Sequence, residues 1–286
     1  MGDIPALPQA QWLWTQKSGS STAECEDAAY CWQSGETGAD SAGRAVASLY
    51  ASVSDGASES LLARDWAALL VRDAVESMRL AGNWWEELGT FVRDLMERSA
   101  LHWDAFLTRY QAERAAQGRP IAWYEQPGLE KGAFATVLGA EIRATVLEDG
   151  TTHWYWYAFA LGDSCLFHLR DGRLLDSFPV RTVEEFGITP QLLGSRNHDV
   201  RLVAERMRVT WGELLPGDEL LLTTDALAAW VLSREAAGES GGSAAFPAFA
   251  AFDQQDFADW VDDQRARARM RNDDVTLVRA RVGAEA

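Results

Sequence analysis

The N-terminal third of the chain alternates aromatic or β-branched segments with Ser/Gly-rich turns. The segments QWLWTQ, DAAYCWQ and AVASLYASV have this pattern, which predicts three strands. From Ser58 the apolar spacing becomes that of a helix, with Leu62, Trp66 and Leu69 on one face and Ser58 placed to cap it. Two more helical segments, WWEELGTFVRDLMERSA and WDAFLTRYQAERAAQ, follow.

The centre of the chain returns to strand patterns. Residues 141–180 hold two Asp-Gly turns between apolar runs, which predicts an antiparallel meander. Both alternating faces of HWYWYAFAL are apolar, so we expect this strand to be central and covered on both sides. The remaining segments are a strand DELLLTTD, a helix ALAAWVLSREAAG with Gly238 at its end, a loop ESGGSAAFPAFAA, a helix DQQDFADWVDDQRARA and a strand VTLVRARV.

The order of these elements predicts an α+β fold with segregated antiparallel sheets. No repeat and no composition shift marks a boundary, so we expect a single domain over residues 1–286. The 47% hydrophobic content suffices for a large core.

Charge and cysteine content narrow the functional classes. A formal net charge of −17 argues against a nucleic-acid partner and against an anionic membrane surface. No apolar run approaches membrane-spanning length. Cys25, Cys31 and Cys165 are too few for a disulfide scaffold, and the N-terminus lacks the pattern of a secretory signal. We therefore expect a reduced, cytoplasmic protein.

Carboxylates recur at the ends of the predicted strands. Singly, each is typical of a turn or a helix cap. Carboxylates from separate strand ends are also the oxygen ligands that Mg²⁺ and Mn²⁺ prefer, so convergence on such ions is the alternative. The residues concerned are Glu26, Asp27, Asp55, Asp163, Asp225, Asp273 and Asp274.

The order of these acidic residues and the sequences around them resemble those of the metal-dependent serine/threonine protein phosphatases of type 2C, in a bacterial-like single-domain form. The motifs are ECEDA, SDGAS, KGAFATVLGAEI, FALGDSCLFHLRDGRL, PGDELLLTTDAL and RNDDVTLVRARV, which together span roughly residues 12–282. The resemblance implies a four-layer αββα sandwich of two antiparallel sheets flanked by helices. It also implies a two-metal centre at one end of the sandwich.

The resemblance implies specific roles for four residues at that centre. Asp55 would bridge two Mg²⁺ or Mn²⁺ ions, and the carbonyl of Gly56 would bind one of them. Asp225 and Asp273 would complete the ligand set of the first ion. Asp55, Asp225 and Asp273 would thus be catalytic, through the water that the ions activate.

The outer acidic residues receive secondary roles from the same resemblance. Glu26 and Asp27 would hold metal-bound waters, and Asp163 would help to bind a weaker third ion. Asp274 stands where the family often has asparagine.

The chain departs from the family at the substrate side of this site. Where members commonly carry a phosphate-binding arginine, this chain has Thr22, and Lys17 and Arg44 are the nearby cations in sequence. Ala57 replaces a histidine found in many eukaryotic members, and Ala226 replaces a glycine next to a ligand.

The resulting prediction is an Mg²⁺- or Mn²⁺-dependent enzyme that hydrolyses phosphoserine and phosphothreonine. Its substrate would be a phosphoprotein made by an opposing serine/threonine kinase. Two alternatives stay open: a pseudophosphatase that acts as a regulatory binding protein, and a hydrolase of small phosphate esters. The missing arginine motivates the first alternative.

Overall fold

The computed structural model describes residues 8–34, 38–39, 45–146, 151–187, 190–238 and 249–283. The strands are β1 (Gln9–Thr15), β2 (Asp27–Gln33), β3 (Gly38–Ala39), β4 (Ala45–Asp55), β5 (Phe134–Ala135), β6 (Val137–Val146), β7 (Thr152–Leu161), β8 (Cys165–Arg170), β9 (Arg173–Phe178), β10 (Leu193–Gly194), β11 (Arg208–Leu214), β12 (Glu219–Thr223) and β13 (Val275–Arg281). The helices are α1 (Ala63–Ala81), α2 (Leu88–Ala116), α3 (Gln126–Lys131), α4 (Val200–Arg206), α5 (Asp225–Ala236) and α6 (Gln254–Ala266).

Two antiparallel sheets form the centre of the molecule. One has the strand order β1-β13-β12-β8-β9, and the other has the order β11-β7-β6-β4-β2, with β3 also paired to β4. Strand β1 pairs with β13 from the other end of the chain, in a register that joins Thr15 to Val275. The short strands β5 and β10 pair with each other.

Three hydrophobic clusters separate four layers. One cluster joins α1 and α2 to the outer face of the β4-containing sheet, through residues such as Trp66 and Phe159. A second fills the space between the sheets, and a third joins the β12-containing sheet to α5 and α6, where Phe167 and Phe257 are fully buried. This is the expected αββα sandwich, and the predicted fold class is confirmed.

Alternation along β4 shows how the sequence sets the two faces. Leu49, Ala51 and Val53 belong to the cluster between the sheets, whereas Tyr50 packs in the cluster with the helices. Side chains two residues apart lie on the same face of a strand, so the row that faces the other sheet continues to Asp55.

The predicted start of α1 is wrong. The helix begins at Ala63, with Leu62 as the flanking residue in a left-handed conformation (φ 65°). Ser58 does not cap it, because its hydroxyl donates to the carboxylate of Glu26. The loop before α1 is held instead by Ser60, whose hydroxyl donates to the carbonyl of Ala57 and accepts from the backbone of Phe134.

The predicted meander is also only partly right. Strands β6 and β7 pair in one sheet, and β8 and β9 pair in the other, so the chain crosses between sheets after Leu161. The turn at Asp171-Gly172 is present, with positive φ at both residues, whereas the first Asp-Gly pair lies outside the described residues. The apolar strand β7 is central, between β6 and β11, as expected.

Helical and terminal segments match the remaining predictions with small changes. The two helical segments after α1 form the single helix α2, and Gly238 follows α5 with φ 70°. The predicted loop after α5 lies largely outside the described residues. Helices α3 and α4 and strands β3, β5, β10 and β11 were not predicted from the sequence. Within the described ranges, no helix is long and apolar enough to cross a bilayer.

Candidate metal centre

Asp27 and Asp55 face each other at the end of the space between the sheets. They are register partners in the antiparallel pair β2–β4. Ala29 and Val53, two residues along each strand, belong to the cluster between the sheets. Both carboxylates therefore extend the inner rows of these strands beyond the apolar core.

The second sheet contributes a threonine pair to the same end. The Thr224 hydroxyl donates to Asp27 Oδ2 over 2.7 Å and accepts from the backbone N–H of Thr276 over 2.9 Å. Thr224 is the residue between β12 and α5, so it places Asp225 in the first turn of α5. This hydrogen bond joins the two sheets beside the carboxylates.

Asp274 ties the N-terminal segment to the turn before β13. Its carboxylate accepts from the backbone N–H of Lys17 and of Glu26, each over 2.8 Å. The side chain is buried, and both of its oxygens are used within the protein. Asp274 is therefore a structural bridge, and Asp273 is left as the carboxylate on the open side of the turn.

Burial and, after it, the proximity of like charges raise the pKa values of these carboxyl groups. Burial, together with the carboxylates of Asp27, Asp273 and Asp163, raises the pKa of Asp55 well above its usual value, and the guanidinium of Arg271 opposes this in part. Burial also raises the pKa of Asp27. Such mutual destabilisation of anionic oxygens is the electrostatic environment that a cation relieves.

Asp163 adds a buried oxygen without a partner. It lies in the loop between β7 and β8 and is 8% exposed. In the part of the chain that the structure describes, its Oδ1 atom accepts no hydrogen bond. Burial raises the pKa of its carboxyl group. An unpaired buried carboxylate oxygen is costly and commonly marks a ligand position.

A guanidinium lies among these carboxylates. Arg271, in the turn before β13, forms an ion pair with Asp225, and its Nε atom lies 3.6 Å from Asp273 Oδ2. The backbone of this turn is held by Arg265, which donates to the carbonyl of Asp273 over 2.6 Å. Arg271 therefore places positive charge against two residues that the family resemblance implies as metal ligands.

The chemical type of these side chains suits a divalent metal ion, but their positions do not form a complete coordination site. Carboxylate oxygens, buried and mutually destabilised, are the ligands that Mg²⁺ and Mn²⁺ prefer. Yet no three His, Cys, Asp or Glu side chains in the described ranges converge closely enough to hold an ion. Arg271 pairs with two of these carboxylates, Asp225 and Asp273.

Gly56 packs against backbone on two sides. A Cβ atom there would lie 3.0 Å from the carbonyl oxygen of Glu26 and 3.0 Å from the backbone of Ala63. The N–H of Gly56 donates to the same Glu26 oxygen over 3.3 Å. Glycine at this position therefore allows Asp55, the start of α1 and the Glu26 segment to meet.

A groove opens beside Glu26. It has a volume of about 450 Å³, and Lys17, Glu26, Ser58 and Arg64 are among its lining residues. The ammonium of Lys17 lies 4.0 Å from Glu26 Oε2, and Arg64 Nη1 donates to the carbonyl of Ala23 over 2.6 Å.

Thr22 is exposed in the 3₁₀ helix Thr22–Glu24, and Ala57 lies directly after Gly56 at the end of β4. Arg44 lies outside the described residues. Arg64 was not predicted as a site residue, because its approach to the segment around Thr22 depends on how α1 packs.

No protein-family model and no curated protein matches the chain. Solved structures do resemble it in fold. The serine/threonine phosphatase Stp1 from Staphylococcus aureus superimposes with a TM-score of 0.53 at 14% identity, over 99% of this chain and 98% of that one. The chain has the fold of type 2C phosphatases.

Two further structures resemble this fold less closely. A bacterial serine phosphatase has a TM-score of 0.49 at 13% identity, over 98% of this chain and 99% of its own. The catalytic domain of the serine threonine protein phosphatase PstP, solved with two manganese ions, has a TM-score of 0.47 at 16% identity, over 97% and 99%. The likeness to Stp1 concerns the fold, and the chemistry depends on this chain's own residues.

Proposed function

We propose that the protein is a divalent-metal-dependent phosphatase acting on phosphoserine and phosphothreonine in proteins. The observation that carries the proposal is the set of buried, mutually destabilised carboxylates at one end of a type 2C sandwich. We propose Asp55, Asp225 and Asp273 as the residues that hold Mg²⁺ or Mn²⁺, with the Gly56 carbonyl beside them. Glu26, Asp27 and Asp163 would complete the acidic end, with room for two ions and a weaker third.

The bound ions would supply charge neutralisation of the phosphate and would lower the pKa of a water nucleophile. The chain's residues supply position. Thr224 holds Asp27 by a hydrogen bond, and the Asp274 bridge fixes the segment that carries Glu26. Raised carboxyl pKa values mean that ionisation of Asp55 is costly until a cation is near.

We propose that Arg64 and Lys17 hold the substrate phosphate in place of an arginine at Thr22. Both line the groove beside Glu26, and Arg64 lies against Ala23, next to Thr22. A guanidinium binds phosphate oxygens in a bidentate manner, which suits this role. The substrate is then a phosphoprotein, opposed by a serine/threonine kinase, and we place the enzyme in the cytoplasm as one domain without a nucleic-acid or membrane partner.

The competing function is a pseudophosphatase that binds a regulatory partner. The observation in its favour is that Arg271 pairs with Asp225 where the described carboxylates would need to converge. A hydrolase of small phosphate esters would use the same site.

The test is phosphate release from a phosphothreonine peptide and from a small phosphate ester, each with Mn²⁺, Mg²⁺ or EDTA. We expect metal-dependent release from the peptide, with a higher kcat/KM than for the small ester. Asp55→Asn should lower kcat by about 100-fold or more, because it removes a charge that stabilises the transition state through the metal. Asp259→Asn is the charge-matched control, since Asp259 is exposed on α6.

Folded protein with no release from either substrate would favour the pseudophosphatase. Faster turnover of the small ester would favour the third function.

A further inference from the structure

Arg271 lies among the clustered carboxylates. Its guanidinium pairs with Asp225 and approaches Asp273, two carboxylates from different elements, α5 and the turn before β13. One side chain thus pairs with carboxylates from two different elements.

The turn that carries Arg271 is anchored independently of this side chain. Arg265, only 7% exposed, donates to the backbone carbonyls of Gln16 and Asp273. Asp274 accepts from two backbone groups on the N-terminal segment. The side chain of Arg271 is by contrast 43% exposed, so it can leave the carboxylates without unfolding the turn.

We propose that Arg271 is a built-in counter-cation of the metal-free site, which divalent ions must displace in order to bind. The proposal rests on the proposed function, because it assumes that Asp225 and Asp273 hold metal. A carboxylate oxygen that accepts a guanidinium is not free for an ion, so the two cations compete for the same oxygens. Arg271 lowers the affinity for metal and stabilises the protein when metal is absent.

If Arg271 and the metal compete, removing the guanidinium should raise the affinity for Mn²⁺ and lower the thermal stability of the protein without metal. Arg271→Gln should bind Mn²⁺ about five- to ten-fold more tightly than the unaltered protein, as measured by isothermal titration calorimetry. In EDTA the same variant should melt at a lower temperature than the unaltered protein. At saturating Mn²⁺ that deficit should disappear.

The control is Arg269→Gln, which makes the same charge change two residues away on an exposed side chain. It should leave the dissociation constant for Mn²⁺ within about two-fold of the unaltered value, because exposed charges are screened. Arg271→Lys, which keeps the charge but loses the planar fork, should lie between Gln and Arg.

Weaker or unchanged Mn²⁺ binding by Arg271→Gln would overturn the proposal, and a purely structural role would lower both metal affinity and metal-free stability. If the unaltered protein binds Mn²⁺ and Asp55→Asn abolishes binding while Arg271→Gln has no effect, this inference alone fails. If the unaltered protein binds no Mn²⁺, the proposed function fails with it.

Discussion

Replacing Gly56 by alanine tests how closely the site is built around the end of β4. The new Cβ atom would lie 3.0 Å from backbone atoms of both Glu26 and Ala63, whereas ordinary contacts begin near 3.4 Å. Backbone cannot rotate away as a side chain can, so one of the two segments must shift by a few tenths of an ångström. Gly56 does not have a positive φ, so alanine meets no conformational penalty and the effect is one of packing.

Overpacking of this kind costs about 1–3 kcal/mol. An unfolding entropy of about 2.1 cal/mol/K per residue gives roughly 0.6 kcal/mol/K for this chain, so the Tm should fall by roughly 2–5 °C. Because Asp55 and Glu26 would move apart, kcat should fall by about ten-fold or more.

Gly89→Ala is the matched control. Gly89 lies in the first turn of α2, and a Cβ atom there would meet nothing within 4 Å. Alanine should be neutral or stabilising by up to about 1 kcal/mol at this position. Differential scanning calorimetry and the phosphopeptide assay give both readouts. A Gly56→Ala variant with an unchanged Tm and unchanged turnover would refute the packing argument.

Three further predictions concern charge. Burial raises the pKa of Asp218, but the hydrogen bonds that it accepts, led by that of Arg170, together lower the pKa below its usual value. The stability that ionised Asp218 contributes is therefore present above its unfolded pKa of about 3.9 and is lost as the pH falls through the lower folded value. Asp218→Asn should therefore cost about 1–3 kcal/mol in urea unfolding at pH 7 and much less near pH 2, and an equal cost at both would contradict this. Glu141 is fully buried and accepts from Arg143 over 2.7 Å, so Glu141→Ala should cost about 3–5 kcal/mol by denaturant unfolding, and a cost below about 1 kcal/mol would show that the ion pair is dispensable. Mn²⁺ at 100 times its dissociation constant should stabilise the protein by about 2.7 kcal/mol, and Asp55→Asn should abolish that gain; an equal gain in the variant would place the ion elsewhere.

Local patterns in the sequence were enough to predict most strands and the carboxylates at their ends. Alternation along β2 and β4 determines which face carries Asp27 and Asp55, and this follows from the period of a strand. The pairing of β1 with β13 joins residues more than 250 positions apart, which no local pattern encodes. Strand β11 is not evident from the sequence because it alternates exposed and half-buried residues and, among the described strands, pairs only with β7.

The sequence was sufficient to predict the acidic residues of the site, but not the arginines that lie beside them. The carboxylates stand in motifs whose order resembles a known family, whereas the positions of Arg64 and Arg271 depend on the packing of α1 and on the turn before β13. Ser58 shows the same limit, since its pairing with Glu26 depends on how two distant segments meet. Tertiary contacts of this kind override local capping preferences.

The most direct test of the metal centre is an anomalous difference map from crystals grown with Mn²⁺. We predict two peaks beside Asp55, with Asp225 and Asp273 within coordination distance of one of them and the guanidinium of Arg271 turned away from Asp225. A map with no peak near Asp55, in which Arg271 still pairs with Asp225 at saturating Mn²⁺, would contradict the account.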